Sequence, residues 1–519
     1  MKKIFLAVVV VFILNSCAKQ NEIKSLSEEK SKTTAMSSVL ALNSYYVNGT
    51  SGSDSNDGTS AATALKTIQA ALWKTADSAG TTIYVAGGTY KERLYWPHSG
   101  ASAAEPLTLT NYNGETVTLD GVDATNSAQN EMIGIASRSH IRINHINIAN
   151  NIRKDAKGIY MVGAGTDVQF TNCKIYNIGW TDNASAQTSS TDNANPMVVV
   201  GSLGASYSNI YIGYNEVYSC NTGFSEGMTL TGNVENFLIE GNIVHDIRNI
   251  GIDISGHYSW ANPTPSVNFA RNGNVKYNTV YRCVSPIATS AGIYVDGGKW
   301  VNIEGNTSYE NSTGISAGCE NSNNTAEGIN IRSNFIYNNV EAGIIMGSNA
   351  AGSKVVNSKI INNSLFKNFS KTGWGGEIHL QNVDQLSVVN NIIQSASNIV
   401  VVASLGYSAT NLSFDYNNYY SASGTAATIT FDWGGINGNT YGSFAAYKAG
   451  TGLDANSTYS VPSFISAALP VPNLHLTSAS SCINAGLPSF TAQPGELDID
   501  KDARVRNGRV DIGADESAY

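Results

Sequence analysis

Gly241-Asn-Ile-Val-His-Asp246 decides the fold, because it returns along the chain in altered spellings. The same word is read as YNEVYS at 214–219, YNTVYR at 277–282, GNTSYE at 305–310, SNFIYN at 333–338, NNSLFK at 362–367 and NNIIQS at 390–395. Its asparagines are Asn215, Asn242, Asn278, Asn306, Asn334, Asn363 and Asn391, at intervals of 27, 36, 28, 28, 29 and 28 residues. A period in this range marks a solenoid or an array. Each repeat carries three short strand patterns separated by Gly, Asn and Ser, with no room for a helix. That is one triangular coil of a parallel β-helix, and stacking would set the asparagines in a hydrogen-bonded ladder.

Composition agrees. Of 519 residues only 14% are charged, and 49 are Gly against 11 Pro, which suits an all-β solenoid with polar turns. A formal net charge of −9 argues against nucleic acid as a partner. Coils are expected from about Val117 to Tyr420, and residues 122–420 carry the candidate site. Residues 45–121 form an N-terminal cap and the first coils. Ala64, Leu65, Ile68, Ala71 and Leu72 have the spacing of one helical face and would cover the open end of the first coil. Residues 421–519 hold the last coils and a C-terminal cap. The first 17 residues read as a signal segment, with Lys2 and Lys3 before the apolar run from Ile4 to Leu14. Residues 18–44 read as a flexible tether. Cys173, Cys220, Cys283, Cys319 and Cys482 fit neither a disulfide framework nor zinc-ligand spacing, and are expected to be buried. Asp498, Asp500 and Asp502 suggest calcium by their alternate spacing, but an acidic turn beside Arg504 and Arg506 is the preferred reading.

Several segments carry a resemblance. Leu14-Asn-Ser-Cys17 is similar to a bacterial lipoprotein signal, although Asn15 departs from the usual small residue. This implies lipidation of Cys17 and anchoring of a monomer to the outer membrane, facing the periplasm or the cell surface. The block Ile83-Tyr-Val-Ala-Gly-Gly-Thr-Tyr90 with Leu107-Thr-Leu-Thr110 resembles the start of secreted right-handed parallel β-helix proteins of the pectate-lyase-like superfamily. The words GNVENFLIEGNIVHD, NIGIDISG, ARNGNVKYNTVY, GIYVDGG and GEIHLQ resemble a largely uncharacterised carbohydrate-active group of that kind. This implies that Glu226, Asp253, Asp296, Glu320 and Glu377 belong to the group's pattern. Against pectate-lyase-like lyases, no clear outward Lys or Arg base is found on the strands.

Used as a ruler, the period brings these acids together. Ile252, Ile254, Ile293 and Val295 alternate with polar residues and point inward, so Asp253, Ser255, Tyr294, Asp296 and His379 point outward from one sheet. Asp296 lies two positions further along its strand than Asp253, and Glu320 two further than Asp296. With coils about 4.8 Å apart and residues about 3.3 Å apart, adjacent pairs fall about 8 Å apart at the backbone. Glycosidic bonds are cleaved by carboxyl pairs about 5–5.5 Å apart in retaining enzymes and about 6.5–9.5 Å apart in inverting ones, and side chains here could reach either. Insertions at 181–196 and 258–270 flank this face, with Tyr258, Trp260, Tyr294 and Trp300 available for sugar stacking.

Three functions follow as expectations. The first is a glycoside hydrolase with no required cofactor, using Asp296 with Glu320, assisted by Asp253 and Glu226. His257, Tyr294, Lys299, Arg271, Glu377 and His379 would contact a polysaccharide or oligosaccharide substrate. The second is a calcium-dependent polysaccharide lyase. In it Glu226, Asp253 and Asp296 hold Ca²⁺ against a uronate, and Lys299 or His257 removes a proton. The third is a non-catalytic glycan-binding surface lipoprotein.

Overall fold

A computed structural model describes residues 43–77, 80–183, 186–370 and 375–519. The signal segment, Cys17 and all but the last two residues of the tether lie outside the described residues. The chain winds as a right-handed parallel β-helix. Its three long sheets have fourteen, thirteen and thirteen strands, and neighbours in each sheet are mostly one coil apart in sequence. Inward rows of Ile, Val and Leu, such as Ile252, Ile293, Ile315, Ile344 and Ile378, stack into one continuous core. The hydrophobic effect therefore acts along the axis, each coil covering the next.

The asparagine ladder sits inside one corner of the triangle. Asn306 shows the pattern. Its backbone N–H and Nδ2 both donate to Oδ1 of Asn334, at 2.8 and 3.0 Å, and Nδ2 also donates to Val275 O at 2.9 Å. The chain of contacts runs from Asn215 to Asn417 and ends on the Asp454 carboxyl. The residue before each asparagine is left-handed, with φ of +58° at Tyr214, +66° at Gly241, +54° at Tyr277 and +56° at Asn362. This turn geometry explains why Gly or Asn often precedes the ladder residue.

A second ladder occupies the next corner and was not read from the sequence. Asn311, Asn339 and Asn368 are joined at 3.1 and 2.8 Å, and Asn368 Nδ2 donates to Glu377 Oε2 at 2.8 Å. The residue before the inward Ile in each coil of this corner is Gly251, Gly292, Gly314 or Gly343. A Cβ at Gly314 would meet Asn339 Nδ2 at 2.8 Å, and one at Gly343 would meet Asn368 Nδ2 at 2.9 Å. Glu377 fills that place in the following coil.

The ends differ from the simple expectation. The N-terminal helix is only Ile68–Trp73, capped by the Thr67 side chain, while Ala64 and Leu65 are buried in extended chain before it. The C-terminal cover has two parts. Helix Phe444–Thr451 lays Phe444 and Tyr447 over the last coils, with the Tyr447 ring stacked on Phe431 at 3.8 Å. The closing segment instead runs back along the flank, where Leu474, Leu476, Ile512 and Ala514 cover Phe335, Phe366 and Ile392. Asp498 holds its own turn there, accepting from the N–H groups of Asp500, Asp502 and Glu516. The five described cysteines are all buried free thiols.

Candidate active site

Strand register puts the acids where the ruler placed them. Asp253 pairs with Tyr294, Ser255 with Asp296, and Asp296 with Gly318, two residues before Glu320. Facing outward has not left them all exposed. Asp253 and Asp296 are only 5% and 3% accessible, because the second insertion folds over this face. Ala261 packs on Val198 and Val200, with Tyr258 beside it. Asn262 Nδ2 pins the loop to Gly201 O and Leu203 O at 2.8 and 2.9 Å. The first insertion reaches the same region, where Ser225, next to Glu226, donates to Asn193 Oδ1 at 3.0 Å.

The covered face opens toward the following coils. Glu320 is exposed at the mouth of a cleft lined by Tyr294, Ser316, Ile345, Ser348 and Gln381. Asp296 lies behind it and accepts the Glu320 backbone N–H on Oδ1 at 2.7 Å. The Tyr258 hydroxyl donates to Asp296 Oδ2 and lies 3.5 Å from Glu320 Oε2. One hydroxyl touching both carboxyls keeps their nearest oxygens within about 6 Å, which admits the about 5–5.5 Å of retaining pairs and falls short of the about 6.5–9.5 Å of inverting ones. Tyr294 Oη is 3.5 Å from Glu320 Oε1. Glu226, half-buried, accepts from Thr229 Oγ1 at 2.8 Å. Asp253 Oδ1 is buried without a hydrogen-bond partner.

Desolvation raises all four acids, and the charges of their neighbours add to the rise of Glu226, Asp253 and Asp296. Burial pushes Asp296 up to about 7, with the Glu320 charge adding to the rise and the Tyr258 hydroxyl and Glu320 amide opposing it. Glu226 rises to about 7, mainly by burial. Asp253 lies well above the carboxylate range through burial and the charges of Glu226 and Asp296, and Glu320 is raised by desolvation. Such a cluster retains protons near neutrality, as proton-transfer chemistry on a glycoside requires.

The other expected contacts are placed elsewhere. Lys299 lies on the adjacent sheet, 3.5 Å from Glu327 and over the Phe269 ring. Arg271 is there too, bonded to Glu235 at 2.9 Å and to Asn233 Oδ1 at 2.9 Å, so it holds an acid outside the cluster. His257 Nε2 is 3.2 Å from Thr325 O, and burial lowers its basicity. Glu377 points into the second corner rather than outward, for the packing reason given above. His379 shares the outward row but is fully buried, two coils beyond Ser316, with Nε2 2.5 Å from Ser404 Oγ. Burial lowers His379 to about 4. Trp300 lies on the Phe269 side and Trp260 is 67% exposed beside Tyr258. Among the described residues, the three metal-type ligand atoms that gather within 4.8 Å belong to His475, Asp500 and Asp515, not to Glu226, Asp253 and Asp296. Sequence reasoning treated Tyr258 as a stacking ring and missed its hydroxyl contact. A tyrosine in an insertion beside an acid-bearing strand was the signal available.

No protein-family model matches the chain. The uncharacterized protein YwoF of Bacillus subtilis (strain 168) is 29% identical over 437 residues, spanning 81% of this chain and 88% of that protein. Among solved structures, XylC in complex with xylose has a TM-score of 0.45 at 11% identity, covering 73% of this chain and 83% of that one. Pectate lyase Pel9A has a TM-score of 0.41 at 14% identity, covering 92% and 96%. A GH136 lacto-N-biosidase from Eubacterium ramulus has a TM-score of 0.45 at 12% identity, covering 78% and 67%.

Proposed function

We propose that this chain is a glycoside hydrolase acting on an uncharged glycan, with Asp296 and Glu320 as its carboxyl pair. The observation that carries this reading is the pair itself: two carboxyls bridged by one hydroxyl at the mouth of a cleft. Glu320 is the exposed member of the pair at the cleft mouth, where a glycosidic oxygen can reach it, so it is assigned by position the general acid that protonates that oxygen. Asp296, with two donors on its oxygens, is assigned the ionised partner that meets the positive charge developing at the anomeric carbon. Asp253 and Glu226 set the field behind the pair.

The uncharged substrate follows from the charges nearby. Among the described ion pairs, none joins a Lys or Arg to Glu226, Asp253, Asp296 or Glu320. Among the described residues a uronate would meet these carboxylates with no Lys or Arg paired to them, and the lysine and histidine considered as lyase bases are engaged elsewhere. The test is a glycan panel incubated with the mature protein, followed by reducing-end and 235 nm readings. New reducing ends without unsaturated sugar support hydrolysis. Absorbance at 235 nm would assign a lyase, and binding without cleavage would assign a glycan-binding protein.

A further inference from the structure

Tyr258 belongs to no strand. It is carried on an insertion fastened at separate points, with Asn262 bonded to Gly201 and Leu203 and Asn268 Nδ2 donating to Tyr258 O at 2.9 Å. An insertion that only covered the sheet would place any apolar residue here. A half-buried phenol aimed at two carboxyls costs desolvation unless its hydroxyl is used. We propose that Tyr258 is a positioning residue of the site, its hydroxyl fixing the Asp296 carboxyl beside Glu320 and favouring the ionised form of Asp296. This rests on the reading of Asp296 and Glu320 as the working pair.

The donor count gives the direction. A tyrosine has one proton to give, and the closer contact is to Asp296 Oδ2. Asp296 Oδ1 already receives the Glu320 N–H, so both its oxygens accept and its ionised form is favoured. Glu320 Oε2 lies 3.5 Å from the same hydroxyl, beyond the usual O–H···O range, so the Tyr258 proton is committed to Asp296. The titratable groups facing Asp296 are Tyr258 from the insertion, Asp253 and Glu226 from preceding coils, Tyr294 from its own strand, and Cys319 and Glu320 from the next coil. All of these except Tyr258 remain in a Tyr258→Phe variant.

The experiment measures carboxyl ¹³C titrations in the full chain, labelled on Asp and Glu and assigned with Asp296→Asn. Tyr258→Phe should make Asp296 ionise at a pH about one unit higher, since a donor to its charged form is lost. On any glycan the wild type cleaves, kcat should fall about 10-fold or more, KM should stay within about twofold, and the acid limb of the pH profile should rise. Trp260→Ala, on the same loop, should leave the Asp296 titration unmoved. An unshifted Asp296 in Tyr258→Phe overturns the proposal, as does an equal shift in Trp260→Ala. If Tyr258→Phe does not fold, Tyr258→Met, which keeps an apolar cover and lacks the hydroxyl, must raise the Asp296 titration, and no rise is equally fatal. The titration needs no substrate, so it decides even where the hydrolase reading fails.

Discussion

Asp296 and Glu377 are both acids at strand positions of the same sheet, both nearly inaccessible, and burial drives both upward, to about 7 and about 8. They differ in what surrounds them. Glu377 receives one amide from an asparagine ladder whose other members are already satisfied. Asp296 faces Asp253, Glu226 and Glu320, and is covered by a loop that supplies a hydroxyl. A raised carboxyl therefore marks a site only where other ionisable groups and an opening converge on it. Inside a ladder it marks the end of a structural chain.

The comparison breaks most directly at the pair. Asp296→Asn and Glu320→Gln should each reduce kcat by about 10²–10⁴-fold on a cleaved glycan, while Glu377→Gln leaves it within about twofold. Equal losses in all three would erase the distinction.

Next in size is the interior. Asn306→Ala leaves the Asn278 N–H without its acceptor and removes the side-chain bonds to Asn278 Nδ2, Val275 O and Asn334 Oδ1, and should cost about 3 kcal/mol in urea unfolding. Activity of the folded fraction should persist.

A smaller effect has a defined sign with pH. A carboxyl raised in the folded state binds more protons folded than unfolded between its two pKa values, so stability falls as pH rises through that window. For Glu377 the window runs from the ordinary glutamate value of 4.5 to about 8. Glu377→Gln should therefore unfold with a flatter pH dependence, its stability rising relative to wild type between pH 4.5 and about 8. A parallel pair of curves would show that Glu377 ionises normally.

The smallest expected effect is Lys299→Met. It should change kcat/KM by less than about twofold, because the ammonium already faces Glu327. A large loss would return Lys299 to the site.

The sequence reading succeeded where the information is local and repeated. Alternation set Ile252 and Ile254 inward, and the period gave the register of Asp253, Asp296 and Glu320 across coils. The second ladder was legible in principle, since Tyr309, Tyr337 and Phe366 each stand two residues before Asn311, Asn339 and Asn368. It went unread because the surrounding words differ. Glu377 was misplaced because its strand also carries an outward His379, while its own position continues the glycines that leave room for the ladder. Tyr258 could not be read in this way. Its hydroxyl reaches the acids only because Ala261 and Asn262 dock on coils laid down some 60 residues earlier.

Both asparagine ladders run in one direction and finish on a carboxyl, Asp454 for the first and Glu377 for the second. An asparagine both receives and gives, so it can hand hydrogen bonding on but cannot conclude it. A carboxyl oxygen can receive without passing anything further. Whole turns of the solenoid could thus be gained or lost between the first asparagine and its terminator without leaving an orphaned group. The number of turns is a free variable, bounded by where those two acids stand.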